Sequence, residues 1–235
     1  LKSYLEEING KYTLAGQEFK VSKNPEIAYI YQTTGKLPAL MGFDMNGAES
    51  TTDNTSTMNA AMDWRKNSNG IVALMWHWSA PNDVNDSSKG GSVYRKCSEH
   101  PEGTEFNLHN AVTAGTDENT YVLNTIDAMA YQLKKFKDAG IPVLWRPLHE
   151  ASGGWFWWGA SATDYKALWN IMYDRMTNYH GLDNLIWVWN GQNSNWMPDT
   201  DTFDIAGYDI YTNKDNSAQS SMYNSMKSYT GGKML

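Results

Sequence analysis

Short apolar runs of strand length alternate along the chain with segments whose apolar residues recur at helical spacing. Gly, Pro, Asn or Asp bound the runs, and the helical segments end at stop signals such as Gly140. The pattern predicts strands over 12–17, 37–44, 70–78, 141–150, 185–190 and 203–211, and the start of a seventh at 233. It predicts helices over 1–8, 24–33, 57–66, 122–136, 161–181 and 218–229. Strand and helix therefore alternate over the whole chain.

This alternation indicates an α/β fold in which helices lie outside a parallel sheet. The run 70–78 is almost continuously apolar, which is typical of a strand buried on both faces. A doubly wound open sheet and a (β/α)8 barrel both fit this order. Polar and aromatic residues follow several separate strands, and no Gly-x-Gly-x-x-Gly loop follows the first, which favours the barrel. We expect one domain over 1–235, a TIM barrel whose last strand-helix units are missing from this sequence.

The segment 79–117 is rich in Gly, Ser, Asn and Asp and shows no periodic pattern. It is too long for an ordinary connection, so it is either a functional loop or a disordered segment. Tyr94, Phe106 and Leu108 provide apolar anchors, and we therefore expect a functional loop.

Composition and charge narrow the range of partners. The 235 residues carry a net charge of −7 without a basic run, which argues against nucleic acid and against an anionic membrane surface. No apolar run approaches the roughly 20 residues of a membrane-spanning helix. Cys97 is the single cysteine, so the chain cannot build a disulfide framework. We expect a neutral or cationic substrate and no cofactor.

The chain begins inside an amphipathic pattern formed by Leu1, Tyr4, Leu5 and Ile8. It shows no signal-peptide pattern at its start. We therefore expect a processed or trimmed protein that is secreted, and we expect it to act as a monomer.

Aromatic residues are more frequent than an ordinary core requires, with 11 Trp, 14 Tyr and 6 Phe. Four of them are consecutive, from Trp155 to Trp158. Because four consecutive rings cannot all face one core, at least one should be exposed to a cleft, and Trp155 is the first candidate. Trp78 and Trp189, at the ends of other predicted strands, are equally compatible with a core position and with a platform on which a ligand stacks.

The predicted strand 141–150 ends in His149 and Glu150, and two glycines then turn the chain so that the aromatic run stands beside the acid. In an ideal strand Arg146 and Glu150 share a face, so both would point toward the barrel mouth. Glycoside hydrolysis uses one carboxyl group to protonate the leaving oxygen and a second as nucleophile or base. The alternative for Glu150 is a solvated residue at a loop edge; we predict that it is catalytic.

Other polar residues stand where predicted strands end. His77 and His149 are candidates to hydrogen-bond sugar hydroxyls, and we expect no metal site, because no His-x-x-x-His or carboxylate cluster supports one. Asp209 and Tyr211 share a face of the predicted strand 203–211, which indicates hydrogen-bond control of a catalytic group or of the substrate. The alternative for Asp209 is a strand-end carboxylate held by backbone N–H groups.

The motifs around these residues resemble those of glycoside hydrolase family 26, a clan-A family of (β/α)8 enzymes that are mainly endo-β-1,4-mannanases. The resemblance runs along the whole chain and is most specific at its centre. The motifs that carry it are His77-Trp78-Ser79-Ala80-Pro81, Trp145-Arg146-Pro147-Leu148-His149-Glu150, Gly153-Gly154-Trp155-Phe156-Trp157-Trp158-Gly159, Trp187-Val188-Trp189-Asn190 and Gly207-Tyr208-Asp209-Ile210-Tyr211.

The resemblance implies roles for individual residues. Glu150 falls on the family's acid/base, and His149 occupies the place where many clan-A relatives carry Asn. Tyr211 is expected to hydrogen-bond the nucleophile. The expected substrate contacts come from His77, Arg146, His149, Trp155, Trp189, Asp209 and Tyr211. The implied activity is endo-hydrolysis of β-1,4-mannosidic bonds in galactomannan or glucomannan with retention, through a covalent glycosyl-enzyme, with carboxyl groups about 5–5.5 Å apart.

One family residue has no counterpart in this sequence. The family's nucleophile is a Glu at the end of the seventh strand, and the seventh strand predicted here begins only at Lys233. We expect the nucleophile beyond Leu235, since Asp209 matches a different family position. Two alternatives stay open: a β-1,3-1,4-glucanase of the same family, and a non-catalytic carbohydrate-binding protein.

Overall fold

The computed structural model describes residues 1–20, 25–49, 56–211 and 216–235, of which 216–218 are described by their backbone alone. Its strands are β1 Gly16–Glu18, β2 Leu40–Asp44, β3 Ile71–Trp76, β4 Ala80–Pro81, β5 Gly91–Ser92, β6 Val143–Pro147, β7 Leu185–Trp189 and β8 Ile205–Ala206. Its α-helices are α1 Lys2–Ile8, α2 Pro25–Thr34, α3 Ser56–Ser68, α4 Leu108–Val112, α5 Asp117–Asp138, α6 Ala162–Tyr173 and α7 Asn216–Tyr229. No helix in these ranges is long and apolar enough to cross a membrane.

Six strands form one parallel sheet in the order β1-β2-β3-β6-β7-β8. The register pairs Asp44 with Met75 and Trp76 with Pro147, so the carboxyl ends of β2, β3 and β6 lie side by side. Met234 forms a further parallel bridge to Ile205, next to β8. The predicted order of parallel strands, including the start of a seventh, is therefore confirmed.

Successive residues of the strands face two separate cores, as the period of two requires. Val143 and Trp145 of β6 belong to the large core between the sheet and its outer helices, together with residues of α5 and α6. Leu144 lies on the opposite, inner face, where it packs with Ile186 and with Leu5 of α1. Arg146 comes next to Trp145 in the strand and therefore shares the inner side with Leu144.

The outer helices α5 and α6 begin at capping residues and end close to a glycine. Thr116 caps α5 by accepting a hydrogen bond from Asn119 N, and Gly140 follows its end with φ 67°. Ser161 caps α6 in the same way by accepting from Asp164 N. The helix continues as a π-helical segment, Asp174–Tyr179, that stops before Gly181. The predicted helices 122–136 and 161–181 are confirmed.

Several predicted strands are wrong in extent. The run 37–44 is a strand only over β2, and the first strand is Gly16–Glu18 in place of 12–17. The run 203–211 is a strand only at Ile205–Ala206, so Asp209 and Tyr211 lie in the loop that follows. The reason is that β7 ends at Trp189, whose partner is Ala206, and later residues have no neighbouring β7 backbone to pair with. The first residue of the predicted helix 24–33, Asn24, lies outside the described residues.

The segment 79–117 is an ordered part of the molecule. It contains the β4–β5 hairpin and α4, and Phe106 and Leu108 are buried in the main core. Arg95 N donates to Trp155 O at 2.7 Å, and Trp157 N donates to Val93 O at 3.0 Å. The loop therefore supports the aromatic run that follows β6.

Candidate active site

The chain makes a tight left-handed turn directly after β6. Leu148 and Glu150 have φ values of 51° and 54°, which are rare for residues other than glycine and cost roughly 1–2 kcal/mol each. Glu150 N donates to Asn190 O at 2.7 Å, and this bond to the end of β7 holds the turn. The ideal alternation that put Arg146, Leu148 and Glu150 on one face is therefore wrong beyond Pro147. Leu148 is buried in the main core, and the turn, not the pleat, brings Glu150 to the site.

The Glu150 carboxyl group lies in a confined setting at the carboxyl ends of the strands. The residue is 6% exposed, it accepts a hydrogen bond from the Tyr211 hydroxyl, and it shares another with Asp209. Burial, followed by the hydrogen bond to Asp209, raises the pKa of Glu150, while Tyr211 and Arg146 act in the opposite direction. A raised pKa suits a carboxyl group that must first hold a proton and then release it.

Asp209 has the opposite electrostatic environment. Burial alone would raise its pKa, but the charge of Arg146 and hydrogen bonds from Glu150 and Asn190 bring that pKa below the ordinary value. Arg146 Nη1 lies 3.0 Å from Asp209 Oδ2, and Asn190 Nδ2 donates to Asp209 Oδ1 at 2.9 Å. The pKa values of the two adjacent carboxyl groups are thereby moved apart, that of Glu150 upward and that of Asp209 downward.

His77 and His149 meet beside this pair. Their Nε2 atoms are 3.2 Å apart, and His77 Nδ1 lies 2.8 Å from Asp44 Oδ2. Burial, followed by the nearby Arg146 and His77, lowers the pKa of His149 to about 3, so its ring is neutral. Among the described residues, no three His, Cys, Asp or Glu side chains are grouped so as to hold a metal ion.

The aromatic run supplies one partly exposed ring and three buried ones. Phe156, Trp157 and Trp158 are buried, whereas Trp155 is only partly buried, as predicted. Trp158 Nε1 donates to His149 O at 2.9 Å, and Trp157 Nε1 donates to Trp78 O at 2.7 Å. The Trp155 ring lies over Gly153, where a Cβ atom would overlap it. Trp155 is therefore the ring of this run that is available to stack on a ligand.

Trp189 was predicted to contact substrate, and the structure contradicts this. Its side chain is fully buried on the outer face of β7, where it packs against Phe203 at 5.6 Å and Tyr229 at 6.3 Å between ring centroids. Trp187 and Trp189 are two positions apart in β7, so their side chains lie on the same face of the strand, and both pack in the outer core. Trp78 is also fully buried and stacks on Trp76. Neither ring can serve as a platform.

The structure brings the other predicted residues together and adds two that the sequence analysis missed. The predicted residues that meet at the strand ends are His77, Arg146, His149, Glu150, Asp209 and Tyr211. The additional residues are Asp44, which bonds His77, and Asn190, which bonds both Glu150 N and Asp209. Both are polar residues at the end of an apolar strand, the same signal that singled out Glu150.

The Tyr211 hydroxyl donates to Glu150, the residue implied to be the acid/base. The implied bond of Tyr211 to the nucleophile stays a prediction, because the nucleophile is expected beyond Leu235. Burial, followed by the hydrogen bond to Glu150, raises the pKa of Tyr211, so the phenol stays a proton donor.

Comparison with known proteins gives one consistent family. A sequence model described as glycosyl hydrolase family 26 matches residues 1–235. A mannan endo-1,4-beta-mannosidase of Thermothelomyces thermophilus is 40% identical over 240 residues, covering 96% of this chain and 46% of the relative. Mannan endo-1,4-beta-mannosidase A of Piromyces sp. is 40% identical over 210 residues, covering 87% of this chain and 33% of the relative. The chain thus spans half or less of the length of these relatives.

Solved structures show the same relationship. A β-mannanase from a symbiotic protist of the termite Reticulitermes speratus, complexed with gluco-manno-oligosaccharide, has a TM-score of 0.86 at 34% identity, covering 99% of this chain and 75% of that one. The Podospora anserina GH26-CBM35 β-(1,4)-mannanase has a TM-score of 0.82 at 36% identity, covering 100% of this chain and 52% of that one. The similarity confirms that the curved parallel sheet is part of a (β/α)8 barrel.

Proposed function

The chain belongs to glycosyl hydrolase family 26, and from this premise we propose that the protein that contains it hydrolyses β-1,4-mannosidic bonds within mannans. The observation that carries the proposal is the Glu150 site. A buried carboxyl group with a raised pKa stands beside an ionised Asp209 and next to a segment that presents Trp155. Relatives that are 40% identical are named mannan endo-1,4-beta-mannosidases.

The proposed reaction is a double displacement with Glu150 as acid and then as base. Protonated Glu150 gives its proton to the glycosidic oxygen while a second carboxylate attacks the anomeric carbon, so the C–O bond breaks as the glycosyl-enzyme bond forms. Glu150, now a carboxylate, then removes a proton from water, whose oxygen displaces the second carboxylate. The configuration at the anomeric carbon is retained after two inversions.

Asp209 is unsuited to be the second carboxylate. It shares a hydrogen bond with Glu150, which places the two groups closer than the spacing of about 5–5.5 Å that a retaining enzyme requires. Its oxygens are also occupied by Arg146 and Asn190. We propose that a Glu beyond Leu235 supplies this group, on the strand that begins with the bridge of Met234 to Ile205.

The remaining side chains of the site would bind the polysaccharide. Trp155 offers a ring face to a sugar, His77 presents a partly exposed ring, and Arg146 with Tyr211 controls the charge of the two carboxyl groups. We further propose that the protein acts outside the cell, since mannan is a polymer too large to enter a cell, and that it acts as a monomer.

The substrate class is tested by assaying the full-length protein on galactomannan, glucomannan and mixed-linkage β-1,3-1,4-glucan. We expect hydrolysis of both mannans, internal cleavage that lowers viscosity early, and first-formed products in the β configuration by proton NMR. Faster hydrolysis of the mixed-linkage glucan would identify the glucanase instead. Binding of mannan without release of reducing ends would identify a non-catalytic binder.

Replacement of Tyr211 by Phe should move the pH dependence of the reaction to higher pH. The Tyr211 hydroxyl lowers the pKa of Glu150 by stabilising the carboxylate, so its removal raises that pKa further. Glu150 acts as acid only when protonated, and activity falls as pH rises through its pKa. The basic limb of kcat/KM on manno-oligosaccharides should therefore shift upward in Tyr211→Phe. An unchanged or lower basic limb would contradict this assignment.

A further inference from the structure

Asp44, His77 and His149 form a hydrogen-bonded chain that joins β2 to the segment carrying Glu150. Asp44 Oδ1 accepts the backbone N–H groups of Asn46 at 3.0 Å and of His77 at 3.1 Å. Its other oxygen, Oδ2, lies 2.8 Å from His77 Nδ1, and His77 Nε2 lies 3.2 Å from His149 Nε2. The carboxylate is thus fixed by the backbone on one side and faces the imidazole on the other.

The hydrogen-bond acceptors among Asp44, His77 and His149 determine which ring nitrogens carry protons. A carboxylate only accepts hydrogen bonds, so the His77 ring must carry a proton on Nδ1. One further proton lies between the two Nε2 atoms, on His149 or on His77. The low pKa of His149 keeps that ring neutral, so it has a single N–H group.

Burial of His149 decides between the two arrangements. His149 is 3% exposed, and its Nδ1 atom is buried without a hydrogen-bond partner among the described residues. If the shared proton were on His77, the single N–H of His149 would be at Nδ1, buried and unpaired. Orphaned buried N–H groups are rarer than orphaned acceptors. His149 therefore carries its proton on Nε2 and donates it to the lone pair of His77 Nε2.

We propose that Asp44 is a positioning residue for the reaction proposed above, because through His77 it sets the proton of His149 on Nε2 and holds that ring in one orientation beside Glu150. His77 is the partly exposed member of the pair: its side chain is 28% exposed, whereas His149 is 3% exposed. The kinetic consequence rests on the proposed function; the proton positions rest on the hydrogen-bond geometry and on the neutral ring of the buried His149.

Asp44→Asn tests the proposal with little change of shape. The amide oxygen must stay toward the backbone N–H groups of Asn46 and His77, because the amide N–H2 group cannot accept from them. The amide nitrogen then faces His77 Nδ1 and requires a lone pair there. The His77 proton moves to Nε2, and His149 is left with its proton on Nδ1. One isosteric substitution should thus invert both tautomers.

The measurement combines nitrogen-15 NMR of the histidine rings with kinetics on the full-length enzyme. Signals are assigned by their loss in His77→Gln and His149→Gln. The wild type should show His77 protonated at Nδ1 and His149 at Nε2, and Asp44→Asn should show the reverse. We expect kcat/KM on manno-oligosaccharides to fall roughly 10- to 100-fold, as when the partner that orients a functional histidine is removed.

Asp204→Asn is the matched control. Asp204 also accepts a strand backbone N–H, that of Trp187 at 2.9 Å, but no histidine contacts it. This variant should leave the ring-nitrogen signals and kcat/KM unchanged. Unaltered tautomers in Asp44→Asn would overturn the proposal, and so would inverted tautomers with wild-type kcat/KM. A wild type that leaves mannan intact would count against the proposed function, while the nitrogen signals would still decide the tautomers.

Discussion

Glu150→Ala should lower the rate of mannan hydrolysis by roughly 100- to 10,000-fold, the range that general acid–base catalysis contributes. The variant has no group that can protonate the leaving oxygen or activate water. The deficit should be much smaller for an aryl β-mannoside with a dinitrophenolate leaving group, because that group departs without a proton. Added azide should then react with the accumulated glycosyl-enzyme and give a β-mannosyl azide, detected by NMR.

Two variants make this result specific to the acid. Glu150→Gln keeps the side-chain shape and should lose as much activity on mannan as the alanine variant. Glu105→Gln removes a surface carboxyl group, in which Oε1 lies 2.9 Å from Lys96 Nζ. This variant should hydrolyse mannan at the wild-type rate. If Glu150→Ala turned over mannan at the wild-type rate, or if the aryl mannoside suffered the same deficit as mannan, Glu150 would not be the proton donor.

The order of the fold is predictable because a parallel sheet buried on both faces requires apolar runs. Such runs stand out at β3, β6 and β7, and between them the helical spacing and the stop at Gly140 indicate the outer helices. The ends of strands are less predictable. The alternating pattern of 203–211 continues beyond Ala206, but Ala206 is the last residue that pairs with β7.

The site is predictable where a polar residue ends an apolar strand. It is not predictable where the position of a residue depends on which face of a strand points at the site or on the backbone conformation of a turn. In β7 both faces are apolar, so the sequence cannot tell which face points at the cleft, and Trp189 lies on the outer one. The left-handed conformation of Glu150 depends on Asn190 O, 40 positions along the chain. The role of Asp44 likewise appears only when His77 is brought within 2.8 Å.

Trp158→Ala should destabilise the protein by roughly 3–5 kcal/mol, as expected for the loss of a fully buried aromatic side chain. The ring stacks on Phe156 with centroids 4.4 Å apart, and its Nε1 donates to His149 O at 2.9 Å. Removal leaves both a cavity and an unpaired carbonyl next to Glu150. Chemical denaturation of the full-length protein should show the loss, and activity on mannan should fall with it.

Trp158→Phe separates the hydrogen bond from the cavity, because most of the ring remains while the N–H group is lost. We expect this variant to lose only about 1–2 kcal/mol of stability. Its activity should still fall roughly 10-fold or more, because the freed His149 carbonyl loosens the turn that aims Glu150. The matched control is Trp64→Phe, which removes a similar bond, 3.2 Å long, from Trp64 Nε1 to Ile71 O. Ile71 is the first residue of β3, whereas the site lies at the carboxyl ends of the strands. Trp64→Phe should cost comparable stability and leave turnover unchanged; equal activity losses in the two phenylalanine variants would show that the Trp158 bond stabilises the fold without positioning the acid.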